Sequence, residues 1–212
     1  MSTTFNNFIK QYHRSGSEKA DGYDKSSFIR LADHEKKSVF EMLVSELPWI
    51  GAIEGLFLLD PVRALEICKK EEEKLRIAGS AAYMLQPFLV KYSGDLIYQR
   101  HLIEDYSGYY DDLKPKVVDA VSRTPITTDS IEFFKSVVLT EANTSAVARA
   151  SRHLLDALRL PHDEDEDKAR YQQLLVDLRS ENIQTKLRCL EKINRLAVAH
   201  HRSNADSDLR KL

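Results

Sequence analysis

The sequence predicts an all-α protein. Apolar residues recur three or four positions apart along most of the chain, as in Phe5, Phe8, Ile9 and Tyr12, and this spacing places them on one face of a helix. Prolines, glycines and capping residues divide these runs into segments of helical length. No run shows the alternation of apolar and polar residues that is typical of a half-buried strand. We therefore expect a succession of short antiparallel helices joined by short loops.

The composition agrees with a globular helical protein. Of 212 residues, 42% are hydrophobic and 30% are charged, which excludes a disordered chain and a typical membrane protein. A formal net charge of -2 provides no overall attraction to nucleic acid or to an anionic membrane. The beginning of the chain lacks the apolar core of a secretory signal, and the apolar run 49–59 is shorter than the roughly 20 residues of a membrane span. We expect a cytoplasmic protein without membrane contact.

The N-terminal region, residues 1–27, is predicted to hold a short amphipathic helix over residues 4–14, followed by a flexible link. The link is indicated by residues 16–27, which are polar and contain two glycines. A single helical repeat-like domain is predicted over residues 28–202, and residues 203–212 form a frayed polar tail. Cys68 and Cys189 each lie on the apolar face of a predicted helix, so both are expected to be reduced core residues.

The centre of the chain is predicted to form three consecutive helices. The first begins near Asp33 and is stopped by Pro48, and the second covers the apolar segment Trp49–Leu59. Because that segment is apolar on nearly every side, it is expected to be a central helix surrounded by protein. Asp60 as N-cap and Pro61 as the first helical residue begin the third helix, whose charged run KKEEEK (residues 69–74) is interpreted as a solvated surface.

The remaining helices follow from the same signals. Helices are expected near residues 81–92 and 95–106, and a third from Tyr110 or Leu113 to Val121; Gly94 and a Ser-Gly turn separate them. Asp129 and Glu132 have the spacing of a capping box at the start of the next helix. Asn143 is expected to cap the helix after it, and two more helices follow residue 163 with a turn at Ser180.

Two segments resemble HEAT-type helical repeats. They are Leu47–Leu65 and Leu174–Ala197, in each of which a short turn joins two helices with leucine or isoleucine every three or four residues. The resemblance implies a right-handed α-solenoid-like array of antiparallel helices that presents a curved surface to a protein or nucleic-acid partner. The apolar spacing by itself also allows an irregular helical bundle.

Standard catalytic signatures are missing from the sequence. It contains no Walker A motif, no G-x-G-x-x-G, no G-x-S-x-G, no H-E-x-x-H and no C-x-x-C. His101 and Glu104 could share a metal ion on one helix, but a di-metal bundle needs a second such pair, so both are interpreted as surface polar residues. The sequence thus favours a non-catalytic protein without metal or cofactor and leaves an enzyme open.

An acidic, tyrosine-rich turn is the first candidate binding surface. Tyrosine supplies a large contact area at a small cost in side-chain entropy, and clustered carboxylates attract basic proteins. An ordinary turn with partly buried tyrosines is the alternative. The candidate residues are Glu104, Asp105, Tyr106, Tyr109, Tyr110, Asp111 and Asp112.

Two further candidates carry charge. Glu54 lies in the apolar segment, where a carboxylate must be paired, protonated or directed into a groove, so it is either a structural ion pair or a functional groove carboxylate. A basic stripe lies on the final helix and would suit a phosphate backbone, although a solvated face partly neutralised by the acidic run 163–167 is the favoured interpretation. Its residues are Arg188, Lys192, Arg195 and Arg202.

These observations lead to two hypotheses of function. The first is a non-catalytic protein-binding module, most concretely a small cytoplasmic immunity or inhibitor protein that covers the active site of a basic toxin or enzyme. The second, permitted by the HEAT resemblance, is a HEAT-like DNA glycosylase or another nucleic-acid-binding helical repeat protein. The net negative charge argues against the second.

Overall fold

The structure, a computed structural model, describes residues 2–15, 22–77, 81–160 and 165–209. Within these ranges every regular element is a helix and no strand occurs, which confirms the predicted all-α class. Two short 3-10 helices, Ala81–Met84 and Asp105–Gly108, accompany the α-helices. The α-helices are α1 Thr3–Tyr12, α2 Ser26–Ile29, α3 Asp33–Val44, α4 Ile50–Leu59, α5 Pro61–Ile77, α6 Gln86–Ser93, α7 Ile97–Glu104, α8 Lys114–Ser122, α9 Thr128–Thr140, α10 Thr144–Ala157, α11 Asp165–Leu178 and α12 Ile183–Leu209.

The chain divides into two compact units, Met1–Gly108 and Tyr109–Leu212, here called the first and second unit. The predicted body 28–202 includes residues of both. Helix α2 occupies part of the predicted link 16–27, whose residues 16–21 lie outside the described part of the chain. Helix α12 extends through residue 209 of the predicted tail, and residues 210–212 also lie outside it.

Helix α4 lies in the core of the first unit, where it packs against α2, α3 and α5. The approach is close at Gly55, because a Cβ atom there would lie 2.7 Å from Leu43 Cδ1 and 3.0 Å from Phe28 Cζ. Glycine is therefore required by packing at this position. The expectation that protein surrounds the whole helix was wrong, since Glu54 is exposed and Leu58 retains 48% of its surface.

Helix α1 is held against the first unit by apolar packing and by one carboxylate. Phe8 is fully buried in the same cluster as the residues of α4. Glu35 accepts hydrogen bonds from the Ser2 amide at 2.6 Å, the Ser2 hydroxyl at 2.8 Å and the Ala32 amide at 3.1 Å. These donors, the Ser2 amide first among them, hold the pKa of Glu35 below its ordinary value.

Helix boundaries follow local capping chemistry. The predicted cap Asp60 accepts a hydrogen bond from the Arg63 amide at 3.0 Å, and Asn143 accepts one from the Ala146 amide at 3.0 Å. The predicted capping box of Asp129 was wrong: Thr127 is the N-cap of α9 and exchanges hydrogen bonds with Ser130. Thr127 and Ser130 satisfy the amides at both ends of the first turn, which leaves no capping role for Asp129.

Helix α10 is the packing centre of the second unit and contacts α8, α9 and α11, while α12 packs against α9 and α11. The Lys186 ammonium of α12 is buried and donates to the Val138 carbonyl at 2.6 Å, near the C-terminus of α9. Carbonyls in that last turn lack helical partners and carry the negative end of the helix dipole. Lys186 of α12 therefore caps the C-terminal end of α9.

Candidate functional site

A buried polar cluster in the first unit joins α5, α6 and α7. The Glu72 side chain is 2% exposed, and its Oε1 accepts a hydrogen bond from Gln86 Nε2 at 2.8 Å. His101 Nδ1 lies 2.9 Å from the same oxygen, so an ionised Glu72 requires a proton on Nδ1. The other amide atom, Gln86 Oε1, is buried and has no hydrogen-bond partner among the residues that the structure describes. We call Glu72, Gln86 and His101 the buried cluster.

The buried cluster corrects the interpretation of residues 69–74 as a solvated surface. Ala64 and Cys68 are fully buried on α5, and Glu72 follows them at the i, i+4, i+8 spacing that defines one helix face. The sequence spacing of Val62, Leu65 and Cys68 predicts the apolar stripe of α5. Val62 is 73% exposed, so the buried face is rotated toward Ala64 and Cys68. The spacing from Ala64 was the sequence signal that could have identified Glu72.

The predicted acidic turn crosses the boundary between the two units, and its first part belongs to the first unit. Asp105 is paired with Arg76 through two hydrogen bonds, 2.5 Å from Nε to Oδ2 and 2.8 Å from the guanidinium NH2 to Oδ1. This pairing raises the pKa of Arg76. Tyr106 is half-buried, and Glu104 is exposed. Asp105 therefore acts as a structural partner of α5.

The second part of the predicted turn, Tyr109–Asp112, lies in the second unit and is called the acidic turn below. Tyr109 is buried at 6% exposure, whereas Tyr110 is 77% exposed. The Leu113 amide donates to the Tyr110 carbonyl at 2.9 Å, and Asn143 Nδ2 donates to the Asp111 carbonyl at 2.7 Å. Asp111 and Asp112 are exposed. The backbone is thus fixed while one tyrosine ring and two carboxylates face solvent.

The other predicted residues are found on surfaces. Glu54 is exposed on α4, where solvent contact replaces the buried pair or groove that the sequence suggested. Arg188, Lys192 and Arg195 are exposed on α12, with Arg195 3.5 Å from Glu191. The side chain of Arg202 lies outside the described residues.

A small cavity of about 220 Å³ is present in the second unit between α8, α9 and α10. Sequence reasoning missed it because its residues are far apart along the chain. Apolar and polar side chains share its wall. They are Val121, Ser122, Thr124, Ile126, Ser130, Phe134, His153, Asp156 and Ala157.

His153 is the cavity residue with the most distinctive environment. Its Nε2 lies 2.9 Å from Asp119 Oδ1, while Arg149 binds the other oxygen of Asp119. Burial lowers the pKa of His153, and the Arg152 and Arg149 charges act in the same direction against the opposing effect of Asp156. The neutral ring that this favours donates through Nε2 and keeps Nδ1 as an acceptor.

The described residues contain no group of three or more histidine, cysteine or acidic side chains placed to hold a metal ion. Among the described helices, none has both the length and the apolar character needed to cross a bilayer. Comparison of the chain with family models, curated proteins and solved structures finds no match in any of the three.

Proposed function

We propose that this protein is a non-catalytic protein-binding module that holds a basic partner through the acidic turn. The observation that carries the proposal is the contrast between Tyr109, which is buried, and Tyr110, which is 77% exposed on a backbone fixed by hydrogen bonds. An exposed large aromatic side chain on a fixed backbone loses little entropy when a partner covers it.

The charge around Tyr110 favours a basic partner. Asp111, Asp112 and Glu141 lie on this side of the second unit, and Lys114 is the cation that contacts two of them, at 3.0 Å from Asp111 and 3.2 Å from Glu141. Lys114 is thus shared between Asp111 and Glu141, and Asp112 adds a second exposed carboxylate beside Tyr110. A net negative rim accelerates association with a positively charged surface and discriminates against nucleic acid.

In its most concrete form, the proposed module is a cytoplasmic immunity or inhibitor protein that covers the active site of a basic toxin or enzyme. A HEAT-like, solenoid arrangement of helices is part of this proposal. It is supported by the pairs α4–α5 and α11–α12, which cover the two HEAT-like segments and whose members pack against each other. Such an arrangement would leave helix faces and connecting turns available to a partner.

The test is a quantitative pull-down from cells that carry the protein, followed by affinity measurement with the purified partner. Tyr110→Ser with Asp111→Asn is expected to weaken binding at least about tenfold, because it removes a central aromatic contact and a rim charge. Asp165→Asn with Glu166→Gln, two exposed changes on α11, serves as the matched control and should bind like the wild type. Equal binding by both double variants would reject the acidic turn as the interface.

Nucleic-acid binding is a second candidate, favoured by the exposed Arg188 and Lys192 one turn apart on α12. A duplex-binding protein, including a HEAT-like DNA glycosylase, would lose affinity steeply with salt. Fluorescence anisotropy with a labelled duplex at several salt concentrations tests this, with Arg188→Gln and Lys192→Gln compared against Lys168→Gln on α11. Binding that is absent at low salt, or unchanged by these substitutions, removes the candidate.

A further inference from the structure

The cavity beside His153 offers hydrogen-bond acceptors and few donors. The Ser122 hydroxyl donates to the Asp119 carbonyl at 2.8 Å, the Thr124 hydroxyl to the Val121 carbonyl at 2.6 Å, and the Ser130 hydroxyl to the Thr127 carbonyl at 2.9 Å. Each hydroxyl has a single proton, so these protons are already committed to the backbone. The Ser130 oxygen also accepts a hydrogen bond from the Thr127 amide at 2.9 Å. These hydroxyls therefore present a ligand with acceptor capacity and no uncommitted proton.

The two ionisable residues of the cavity wall, Asp156 and His153, also act as hydrogen-bond acceptors. Asp156 Oδ1 accepts a hydrogen bond from the Tyr171 hydroxyl at 2.6 Å, which fixes the carboxylate and leaves its second oxygen as an acceptor. His153 uses its Nε2 proton on Asp119, so Nδ1 is the nitrogen left with a lone pair. Burial of the ring favours this neutral state. Neither residue offers a further proton to a ligand.

The charge near the cavity also suits a cation. Arg149 is paired with Asp119, which offsets part of its charge, and burial, with the remaining positive effect of Arg149 in the same direction, lowers the pKa of His153. Asp156 belongs to the wall itself, whereas Arg152 is an exposed residue outside it. A cationic ligand would therefore have the Asp156 carboxylate in direct reach. The guanidinium groups of Arg152 and Arg179 oppose it from outside the wall, and water weakens the fields of all three exposed groups.

The remaining wall is apolar and includes an aromatic ring. Phe134 contributes that ring, with Val121 and Ala157 beside it, and Ile126 is 56% exposed. A planar cation can place its face against such a ring while its edge donates to oxygen atoms. An ammonium group lacks the flat face, and a carboxylate would oppose both Asp156 and the lone pairs.

The geometry points to a binding site for a guanidinium or amidinium group in this cavity, formed by Asp156, His153 and the ring of Phe134. The group could belong to a small guanidine compound or to an arginine side chain of a protein. The second source rests on the proposed function, because a basic partner would supply the arginine. The cavity itself is independent of the acidic turn.

The experiment is a titration of the full chain, followed by NMR and calorimetry, with two probes of matched shape. Benzamidine carries the planar cationic donor, and benzoate carries an acceptor-only anion on the same ring. Benzamidine is expected to bind at least about tenfold more tightly than benzoate. Its shift changes should map to α8, α9 and α10. Equal affinity, or shift changes elsewhere, would overturn the inference.

Two variants test the cavity in different ways. Asp156→Asn removes the charge but keeps an oxygen for Tyr171, and should weaken benzamidine about tenfold. Ala157→Leu fills the space and should weaken both probes. Asp165→Asn is the control and should leave both affinities unchanged. If Asp156→Asn and Ala157→Leu both bind benzamidine like the wild type, the site is not in this cavity.

A third arm distinguishes the two sources. Agmatine is a free guanidine compound, and a blocked tripeptide with a central arginine imitates a protein side chain. Preference for agmatine assigns the site to a small molecule, and preference for the peptide assigns it to a protein partner. Substitution of Tyr110 should not alter benzamidine binding, so failure of the acidic turn as an interface would be seen separately from failure of this site.

Discussion

Glu72 places a carboxylate in the interior of the first unit, where Gln86 and His101 contact one of its oxygens. Glu72→Ala removes the acceptor and leaves the Gln86 amide without either partner, since Gln86 Oε1 has none already. We expect the free energy of unfolding to fall by about 2–3 kcal/mol, measured by urea denaturation. Glu73→Ala, on the exposed neighbour, should cost less than about 0.5 kcal/mol. Similar losses for both variants would contradict the structural role of the buried cluster.

His153 predicts a pH dependence of stability in the second unit. Its pKa is lowered in the folded state, chiefly by burial, so the unfolded chain binds the proton more readily. Stability should therefore rise as the pH increases through the folded pKa toward the ordinary value of about 6.5, and level off above it.

The measurement compares wild type with His153→Gln, whose side-chain amide reaches about as far as histidine Nε2 and can still donate to Asp119. Unfolding free energies between about pH 5 and pH 7.5, the range around the ordinary histidine pKa, should show a smaller slope for the variant. The charged neighbours of position 153 are the same in both proteins, so their effect on stability is common to both. They are Arg149, Arg152 and Asp156. Identical slopes would show that the His153 proton is not linked to folding.

At the scale of single helices, the end of α10 predicts a stabilising substitution. Arg159 has a φ of 54°, and the amides of Arg159 and Leu160 bond back to the carbonyls of Asp156 and Leu155. This is a Schellman motif with arginine where glycine is favoured. Arg159→Gly is expected to raise the unfolding free energy by about 0.5–1 kcal/mol.

The end of helix α6 allows the opposite substitution, from glycine to a residue with a Cβ atom. Gly94 follows this helix with a φ of 73°, and a Cβ atom added there would lie within 4 Å of no described residue other than its two chain neighbours. Gly94→Ala therefore tests the backbone conformation. We expect a loss of about 1 kcal/mol in thermal or urea unfolding. A gain from Gly94→Ala, or a loss from Arg159→Gly, would show that neighbouring contacts outweigh backbone conformation at these ends.

Local chemistry explains which helix features the sequence predicts. Asp60 and Asn143 act within three residues of the amides they cap, so their roles can be identified from neighbouring letters. The buried position of Glu72 cannot be found from capping residues. Its spacing from Ala64 and Cys68 indicates the face, but a carboxylate is stable there only because Gln86 and His101 from other helices contact it. Contacts with other helices therefore determine which face of α5 is buried.

The candidate binding surfaces also depend on contacts between residues that are distant in the sequence. The sequence identified the region of Tyr109 and Tyr110, but adjacent tyrosines with the same neighbours could not be assigned to core or solvent. That assignment depends on where Asn143, distant in the chain, anchors the turn. The cavity beside His153 was not predicted, since it requires the packing of α8, α9 and α10.

At the scale of the whole molecule, the first unit is expected to fold without the second. Its main apolar cluster extends from Phe5 to Tyr98 and lies entirely before Gly108. A fragment of residues 1–108 should therefore show helical circular dichroism and a cooperative unfolding transition. A fragment of residues 1–93 lacks α7, and with it buried Leu102, and should unfold with much lower cooperativity. Loss of cooperativity in both would contradict an autonomous first unit.

Each unit contains one cysteine whose rate of chemical modification reports how often that unit opens locally. Cys68 belongs to the first unit and Cys189 to the second, and both are free and buried. Burial raises the thiol pKa to about 12 for Cys68 and about 11 for Cys189, so neither reacts readily as a thiolate while it is enclosed. The rate at which a reagent modifies each thiol therefore depends on how often the protein around that cysteine opens to solvent. A single mass-spectrometric time course can compare the lifetimes of the two interiors in one intact chain.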